Sequence, residues 1–183
     1  DDAGRSYVVF GGDYTNVVFQ VPSLGPDKID GSPMGESLVG GRGGDLITAK
    51  GADAIYGGAG DDEIHAEDLQ FVRIDGGAGQ DILRLLGGGQ SLDLTARSDL
   101  DLVDVETIDL GGVDNKLELA WRDVRALAPR GHVLTIAGTS GAVTVDLKGA
   151  GFTDAGVKDG FHVYQHPVYT LRIAMGLQAT VAL

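Results

Sequence analysis

Residues 40–48 read GGRGGDLIT, residues 57–65 read GGAGDDEIH and residues 76–84 read GGAGQDILR. All three stretches fit one nine-residue pattern, G-G-x-G-x-D-x-U-x, in which U is a large apolar residue. In each stretch, glycines and an aspartate, which are residue types of tight turns, precede a triplet with one apolar side chain at its centre. The pattern therefore predicts, three times over, a turn followed by a very short strand with one side chain facing a core.

Weaker copies of the pattern lie before and between the complete ones. Residues 25–29 (GPDKI) supply its second half, and residues 35–38 (GESL) place a glutamate in the acidic position. Residues 51–55 (GADAI) form a copy that is one residue short. Two such units, about 18 residues, would make one full coil of a parallel roll, so that successive turns fall on opposite edges.

The spacing of the acidic residues assigns them to these two edges. The first edge would carry four aspartates at intervals of 18, 17 and 19 residues: Asp27, Asp45, Asp62 and Asp81. Glu36 and Asp53, followed by a degenerate turn at Glu67 and Asp68, would lie along the second edge. Because the three complete glycine turns all belong to the first edge, we expect the better-formed metal sites there.

The repeat resembles that of the repeats-in-toxin (RTX) family, a nonapeptide β-helix that binds calcium. In that family, the acidic position and backbone carbonyls of the glycine turns hold Ca²⁺ between neighbouring turns. The resemblance implies Ca²⁺ as the cofactor, with about two to five ions bound by oxygen ligands. It implicates the carboxylates of Asp27, Asp45, Asp62 and Asp81, the turn residues Gly41, Arg42, Gly43, Gly58, Ala59, Gly60, Gly77 and Gly79 through their carbonyls, and Glu36 and Asp53 on the second edge.

We therefore expect an all-β fold. It would be a right-handed parallel β-roll, or β-solenoid, with calcium-binding glycine-rich turns, continued by a β-rich C-terminal cap with one short helix. Residues 1–20 would form an N-terminal strand, residues 21–95 the calcium-binding roll, and residues 96–183 the capping region, including a type I secretion signal.

The cap is predicted from longer β-runs, several of which alternate apolar and polar residues. These runs are Ser91–Thr95, Val105–Leu110, Lys116–Leu119, Val133–Ile136 and Ala142–Leu147. Residues 121–128 space their apolar side chains as a short helix that ends before Pro129, with Trp121 plugging the core. Residues 161–183 indicate a hairpin that turns at residues 165–167; its predicted core residues are Val163, Leu171 and Ile173.

Two further resemblances concern the parent protein. Residues 4–12 are similar to the closing strand of the integrin-like FG-GAP propeller repeat, and the chain does not begin with Met. We therefore expect a segment of a longer polypeptide with a propeller upstream. Residues 71–77, 92–95 and 105–110 resemble the C-terminal module of large bacterial surface and secreted proteins. Such proteins are exported by a type I system that reads a signal at the extreme C-terminus.

Composition narrows the classes of partner. The net charge is −13, and of the 27 acidic residues only five are Glu. Aspartate is typical of turns and short-armed metal sites, whereas Glu is the better helix former. Nucleic acid and anionic membranes are poor partners for such a negative field. The chain has no Cys, so an extracellular domain of this kind would be stabilised by metal instead of disulfides.

No catalytic arrangement is evident in the sequence. The four histidines (His65, His132, His162 and His166) lack the spacing of a zinc site, and no nucleophile, base or carboxylate pair is grouped for catalysis. We therefore expect no enzyme activity. The favoured function is a calcium-dependent folding, stabilising and export module of a secreted or surface-anchored bacterial adhesin, acting outside the cell with the type I secretion apparatus as a partner. The alternative is a calcium-dependent module that binds a glycan or another surface ligand.

Overall fold

The computed structural model describes residues 23–112 and 114–183, so the strand predicted within residues 1–20 lies outside the described residues. The regular secondary structure of the described chain consists of β-strands and one short helix, and the prediction of an all-β class is confirmed. Its elements are β1 (Lys28–Asp30), β2 (Ser37–Arg42), β3 (Leu46–Ala49), β4 (Ala54–Ala59), β5 (Glu63–Ala66), β6 (Arg73–Ala78), β7 (Ile82–Leu85), β8 (Ser91–Asp93), β9 (Leu102–Val103), β10 (Thr107–Asp109), β11 (Lys116–Ala120), α1 (Trp121–Leu127), β12 (Val133–Ala137), β13 (Ala142–Asp146), β14 (Thr153–Lys158), β15 (Phe161–Gln165), β16 (Thr170–Ala174) and β17 (Gln178–Ala182).

The strands form three sheets. Sheet 1 has nine strands in the order β1-β3-β5-β7-β10-β12-β16-β15-β14, sheet 2 has the order β2-β4-β6-β9, and sheet 3 has the order β17-β13-β11-β8. From β1 to β7 the chain alternates between sheets 1 and 2, and each strand pairs in parallel with the strand two positions later. The predicted boundary at residue 95 falls between strands of the same sheet, because β7 pairs in parallel with β10.

The core of sheet 1 is a row of apolar side chains in strict register. Its seven parallel strands each contribute one side chain at the same register position, and each of these side chains is at most 1% exposed: Ile29, Ile47, Ile64, Leu83, Ile108, Ile136 and Ile173. Sheet 2 supplies a second row: Leu38, Ile55, Ile74 and Leu102. Burying one such side chain stabilises a fold by about 1.5–3 kcal/mol, so a triplet with one apolar residue is enough to define a strand here.

Helix α1 and the antiparallel pair of β15 and β16 agree with their sequence predictions, whereas β17 leaves the predicted hairpin and pairs in parallel with β13 in sheet 3. Helix α1 buries Val124 and Leu127, and it is followed by Ala128 and Pro129. Strands β15 and β16 pair antiparallel, and Val163, Leu171 and Ile173 are buried. The ring of Trp121 is partly buried against the core and packs edge-on against the rings of Phe152 and Tyr169.

Candidate metal centre

An acidic residue immediately precedes each of the first five strands in the order of sheet 1. Hydrogen bonds from the backbone N–H of one acidic residue to the side chain of the next connect these residues into a column. The backbone N–H of Asp27 donates to Asp45 Oδ1 (2.7 Å), that of Asp45 to Asp62 Oδ1 (2.8 Å), and that of Asp62 to Asp81 Oδ1 (2.9 Å). The N–H of Asp81 donates to Glu106 Oε2 (3.0 Å). We name these five residues the acidic column. The structure thus brings together, on one edge, the four aspartates that the sequence grouped, and it adds Glu106.

The second carboxylate oxygens of the column are buried without a partner. Asp45, Asp62 and Asp81 are each at most 2% exposed. Their Oδ2 atoms make no hydrogen bond with any described residue. Leaving a buried acceptor unsatisfied costs about 1–3 kcal/mol, and more when the group is charged. At the start of the column, by contrast, Asp27 is half-buried and its Oδ2 accepts the N–H of Ser23 (2.8 Å).

The electrostatics of the column disfavour its own negative charge. Burial raises the pKa of Asp62 to about 6 and the pKa of Asp81 to about 7, and it also raises the pKa of Asp45. Backbone hydrogen bonds oppose these shifts, while the neighbouring carboxylates of the column increase them. At neutral pH the metal-free column therefore carries charge at a cost in free energy, which a bound cation or proton would remove.

The glycine turns (residues 40–45, 57–62 and 76–81) leave space beside these oxygens. A Cβ at Gly40 would collide with Asp45 Oδ2 and with the carbonyl oxygen of Gly57, and a Cβ at Gly57 would collide with Asp62 Oδ2 and the carbonyl oxygen of Gly76. An orphaned carboxylate oxygen and a carbonyl oxygen of the next turn therefore face the same glycine. Hard divalent cations such as Ca²⁺ take oxygen ligands of this mixed kind.

Four of the carbonyls that the resemblance implicates face a glycine of the next turn. Those of Gly41 and Gly58 each face the glycine at the equivalent position of the next turn, Gly58 and Gly77, and those of Gly43 and Gly60 face Gly60 and Gly79 in the same way. Arg42 pairs with Ala59 in the register of sheet 2.

At least three of the implicated carbonyls already accept hydrogen bonds. Ala59 accepts the N–H of Gly43 (2.8 Å), Gly79 accepts the side-chain amide of Gln80 (3.2 Å), and Gly77 accepts the guanidinium of Arg130. A carbonyl oxygen has two lone pairs, so each of these oxygens keeps one further acceptor site.

The second edge has a different character. Asp53 is fully buried, but both of its oxygens are satisfied: Oδ1 accepts the N–H of Glu36 and Oδ2 that of Lys50, each at 2.9 Å. Both carboxylate oxygens of Glu36 accept hydrogen bonds from Ser32. At the degenerate turn, Asp68 accepts the N–H of Gly51 (2.9 Å). The orphaned carboxylate oxygens therefore belong to the first edge.

The sequence predictions missed two residues whose side chains accept a backbone N–H in the same way as the acids of the column. Glu106 precedes the triplet 107–109 as Asp81 precedes 82–84, but it lies 25 residues from Asp81 and outside any glycine turn. The sequence signal that could have identified Glu106 is its position, as an acidic residue immediately before an x-U-x triplet. Asn115 holds the equivalent place in sheet 3, where its Oδ1 accepts the N–H of Gln90 (2.8 Å).

Among the described residues, no group of three or more His, Asp or Glu side chains is gathered closely enough to hold a metal ion. A cation in the column would therefore need backbone carbonyls as well as carboxylates. No helix in the described ranges has the length and apolarity needed to cross a membrane. Comparisons of the chain with protein-family models, with curated proteins and with solved structures gave no match.

Proposed function

We propose that the chain is a calcium-dependent folding, stabilising and export module of the RTX type, belonging to a secreted or surface-anchored bacterial adhesin. The observation that carries this proposal is a set of three buried carboxylate oxygens in one column, those of Asp45, Asp62 and Asp81, which accept no hydrogen bond from any described residue. The proposal includes the fold: the parallel pairing and the alternation between sheets 1 and 2 support a β-roll, and such crossovers are right-handed in nearly all proteins.

Calcium is the cation that suits this donor set. The ligands on offer are carboxylate and carbonyl oxygens, and the column lacks the sulfur and nitrogen ligands that zinc prefers. Ca²⁺ accepts six to eight oxygens in flexible geometry, whereas Mg²⁺ requires a near-ideal octahedron and keeps several waters. In this proposal, Asp45, Asp62 and Asp81 would hold the ions together with turn carbonyls, and the ions would supply the positive charge that the column lacks.

Folding and metal binding would be coupled because the column is unstable alone. Neighbouring strands lie about 4.8 Å apart, and two unit charges at that separation repel by roughly 1 kcal/mol in water and roughly 3–4 kcal/mol at an effective dielectric constant of 20. A site that exists only in the folded chain turns its binding free energy into folding free energy. At low cytosolic Ca²⁺ the chain would stay loose for passage through a type I exporter, and external Ca²⁺ would fold it.

Circular dichroism of the chain in chelator and in millimolar Ca²⁺ tests the folding part of the proposal. We expect little β-structure in chelator and a cooperative gain as Ca²⁺ is added, because extracellular calcium modules bind with dissociation constants of about 10⁻⁴–10⁻³ M. The same spectrum under both conditions would contradict it. Mg²⁺ at equal concentration is the matched control for ionic strength and charge.

The export part needs a separate test. Secretion through a type I system is expected to slow when external Ca²⁺ is removed, because the emerging chain would then fail to fold and could slide back. Equal rates with and without external Ca²⁺ would leave a folding module with no role in export.

A further inference from the structure

The last interval of the acidic column, between Asp81 and Glu106, differs from the others. Strands β7 and β10 keep the parallel register, and the N–H of Asp81 donates to Glu106 Oε2 as in the earlier intervals. The two acids are nevertheless 25 residues apart, and no glycine turn precedes Glu106. The side chain of Glu106 is 5% exposed, so this interval also takes acidic groups out of water.

Asp104 stands where the earlier turns have their first glycine. Its carbonyl oxygen faces Gly76 as the carbonyl oxygen of Gly76 faces Gly57, but only Val105 separates it from Glu106. The far side of this interval therefore supplies no glycine-turn carbonyls. Two carboxylate oxygens here, Asp81 Oδ2 and Asp104 Oδ1, are buried without a hydrogen-bond partner among the described residues.

Arg130 brings a positive charge to this interval. Its Nη1 donates to the carbonyl oxygen of Gly77, and its Nη2 lies 3.9 Å from Asp104 Oδ2. The loop that carries it follows helix α1, whose end is tied to the interval: the N–H of Asp104 donates to Ala126 (3.3 Å) and that of Val105 to Leu127 (2.7 Å). These bonds hold the end of α1 beside the interval, and the Arg130 side chain, 62% exposed, reaches the interval from the loop that follows.

The earlier intervals have no such group. Within residues 23–112 and 114–183, no Lys or Arg forms an ion pair with Asp45, Asp62 or Asp81. The charge of Arg130 does act on its own interval, where it opposes the burial that raises the pKa values of Asp104 and Glu106. Among the described residues, the intervals between Asp45, Asp62 and Asp81 therefore lack a positively charged side chain, whereas the interval between Asp81 and Glu106 has Arg130.

We infer that Arg130 is the built-in counter-cation of the column, closing the interval between Asp81 and Glu106 so that no calcium ion binds there. This inference rests on the proposed function. It deepens that proposal by setting where the calcium-binding part of the column ends, at Asp81, and by naming the group that ends it. Removing the guanidinium would leave Asp81, Asp104 and the Gly77 carbonyl facing an interval that a further ion can enter.

Native mass spectrometry of the intact chain at saturating Ca²⁺ counts the bound ions. Arg130→Met keeps a long side chain without the charge, and we expect it to bind one ion more than the unaltered chain. Arg125→Met removes an equally charged side chain from the exposed face of α1 and is expected to leave the count unchanged. An equal count in folded R130M and in the unaltered chain overturns the inference alone. No ions on the unaltered chain overturns the proposed function as well.

The unaltered chain gives a second test, which stands even when R130M does not fold. In crystals grown with Ca²⁺, anomalous difference density is expected at the Oδ2 atoms of Asp45 and Asp62, with Arg130 and no ion between Asp81 and Glu106. An ion between these last two residues would overturn the inference.

Discussion

At the scale of single residues, Asn115 and Asp62 occupy equivalent positions before a strand but differ in their second side-chain atom. Each accepts, through Oδ1, the N–H of the residue before the neighbouring strand. The second side-chain atom of Asn115 is an amide nitrogen, which donates to the carbonyls of Gly87 (3.2 Å) and Leu110 (2.8 Å). The second atom of Asp62 is an oxygen that accepts no hydrogen bond from any described residue. Asn115 therefore satisfies the same backbone N–H position without the need for a cation.

This comparison predicts that Asp62→Asn makes the column less dependent on calcium. The amide would face the Gly76 carbonyl as a donor and remove a buried charge, a gain of about 1–3 kcal/mol in chelator. We would measure the concentration of a stabilising osmolyte that folds the chain in chelator, and we expect it to fall, together with a loss of bound ions in Ca²⁺. The control is Asp61→Asn, which removes the same charge at the exposed neighbour. An unchanged osmolyte midpoint for D62N speaks against the account.

The metal-free column also predicts a dependence on pH. The pKa values of Asp62 and Asp81 in the folded chain, about 6 and about 7, lie above the ordinary value of 3.8. Between these values the folded state binds more protons than the unfolded state, so stability in chelator should rise as pH falls from 8 towards 5. The osmolyte midpoint measured across this range should therefore decrease with falling pH. An increase would show that these carboxyls are not held in a desolvated column.

At the scale of elements, short strands were predictable where local pattern and partners agree. The triplets after the glycine turns became β3, β5 and β7, because one central apolar side chain per strand is what the core row requires. Strand β9 has only two residues, and β14 shows almost no buried side chain, so neither leaves a local signal. These two strands form because they pair with β6 and β15. A period-two pattern in the sequence does not reveal such pairing.

The turn elements give a prediction about close packing. Gly58 has a φ of +118°, and a Cβ there would collide with the carbonyl oxygen of Gly41. Gly58→Ala is expected to destabilise the folded chain by about 1–3 kcal/mol from backbone strain alone, and therefore to raise the Ca²⁺ midpoint of folding. Gly112→Ala, at an exposed position with ordinary space around it, should change the midpoint little. Equal effects of the two changes would mean that the turns do not stack as described.

At the scale of the whole molecule, the two edges should respond differently to loss of an acid. Asp62 has same-edge acids on both sides and an orphaned oxygen, whereas both oxygens of Asp53 are held by backbone N–H groups. Asp62→Ala should raise the Ca²⁺ concentration needed for folding much more than Asp53→Ala. It should also lower the number of bound ions, which Asp53→Ala should leave unchanged. Calorimetric titration with Ca²⁺ measures both quantities, and the reverse order would overturn the assignment of edges.

The sequence predicted the repeated part of the molecule better than its end. Asp27, Asp45, Asp62 and Asp81 were placed on one edge by spacing alone, because a fixed coil length brings equivalent residues together. Glu106, Asn115 and Arg130 escaped prediction because the coil length changes after residue 81, and spacing then no longer states which residues meet. The contacts of Arg130 depend, in addition, on where the loop after helix α1 meets the column.

The most direct measurement is an anomalous difference map from crystals grown with Ca²⁺, collected where calcium scatters anomalously. The account predicts peaks at coordination distance, about 2.3–2.6 Å, from the Oδ2 atoms of Asp45 and Asp62, two of the buried oxygens that accept no hydrogen bond from any described residue. A column without peaks, or peaks beside Asp53 and Glu36 in its place, would contradict the claim that the first edge binds calcium.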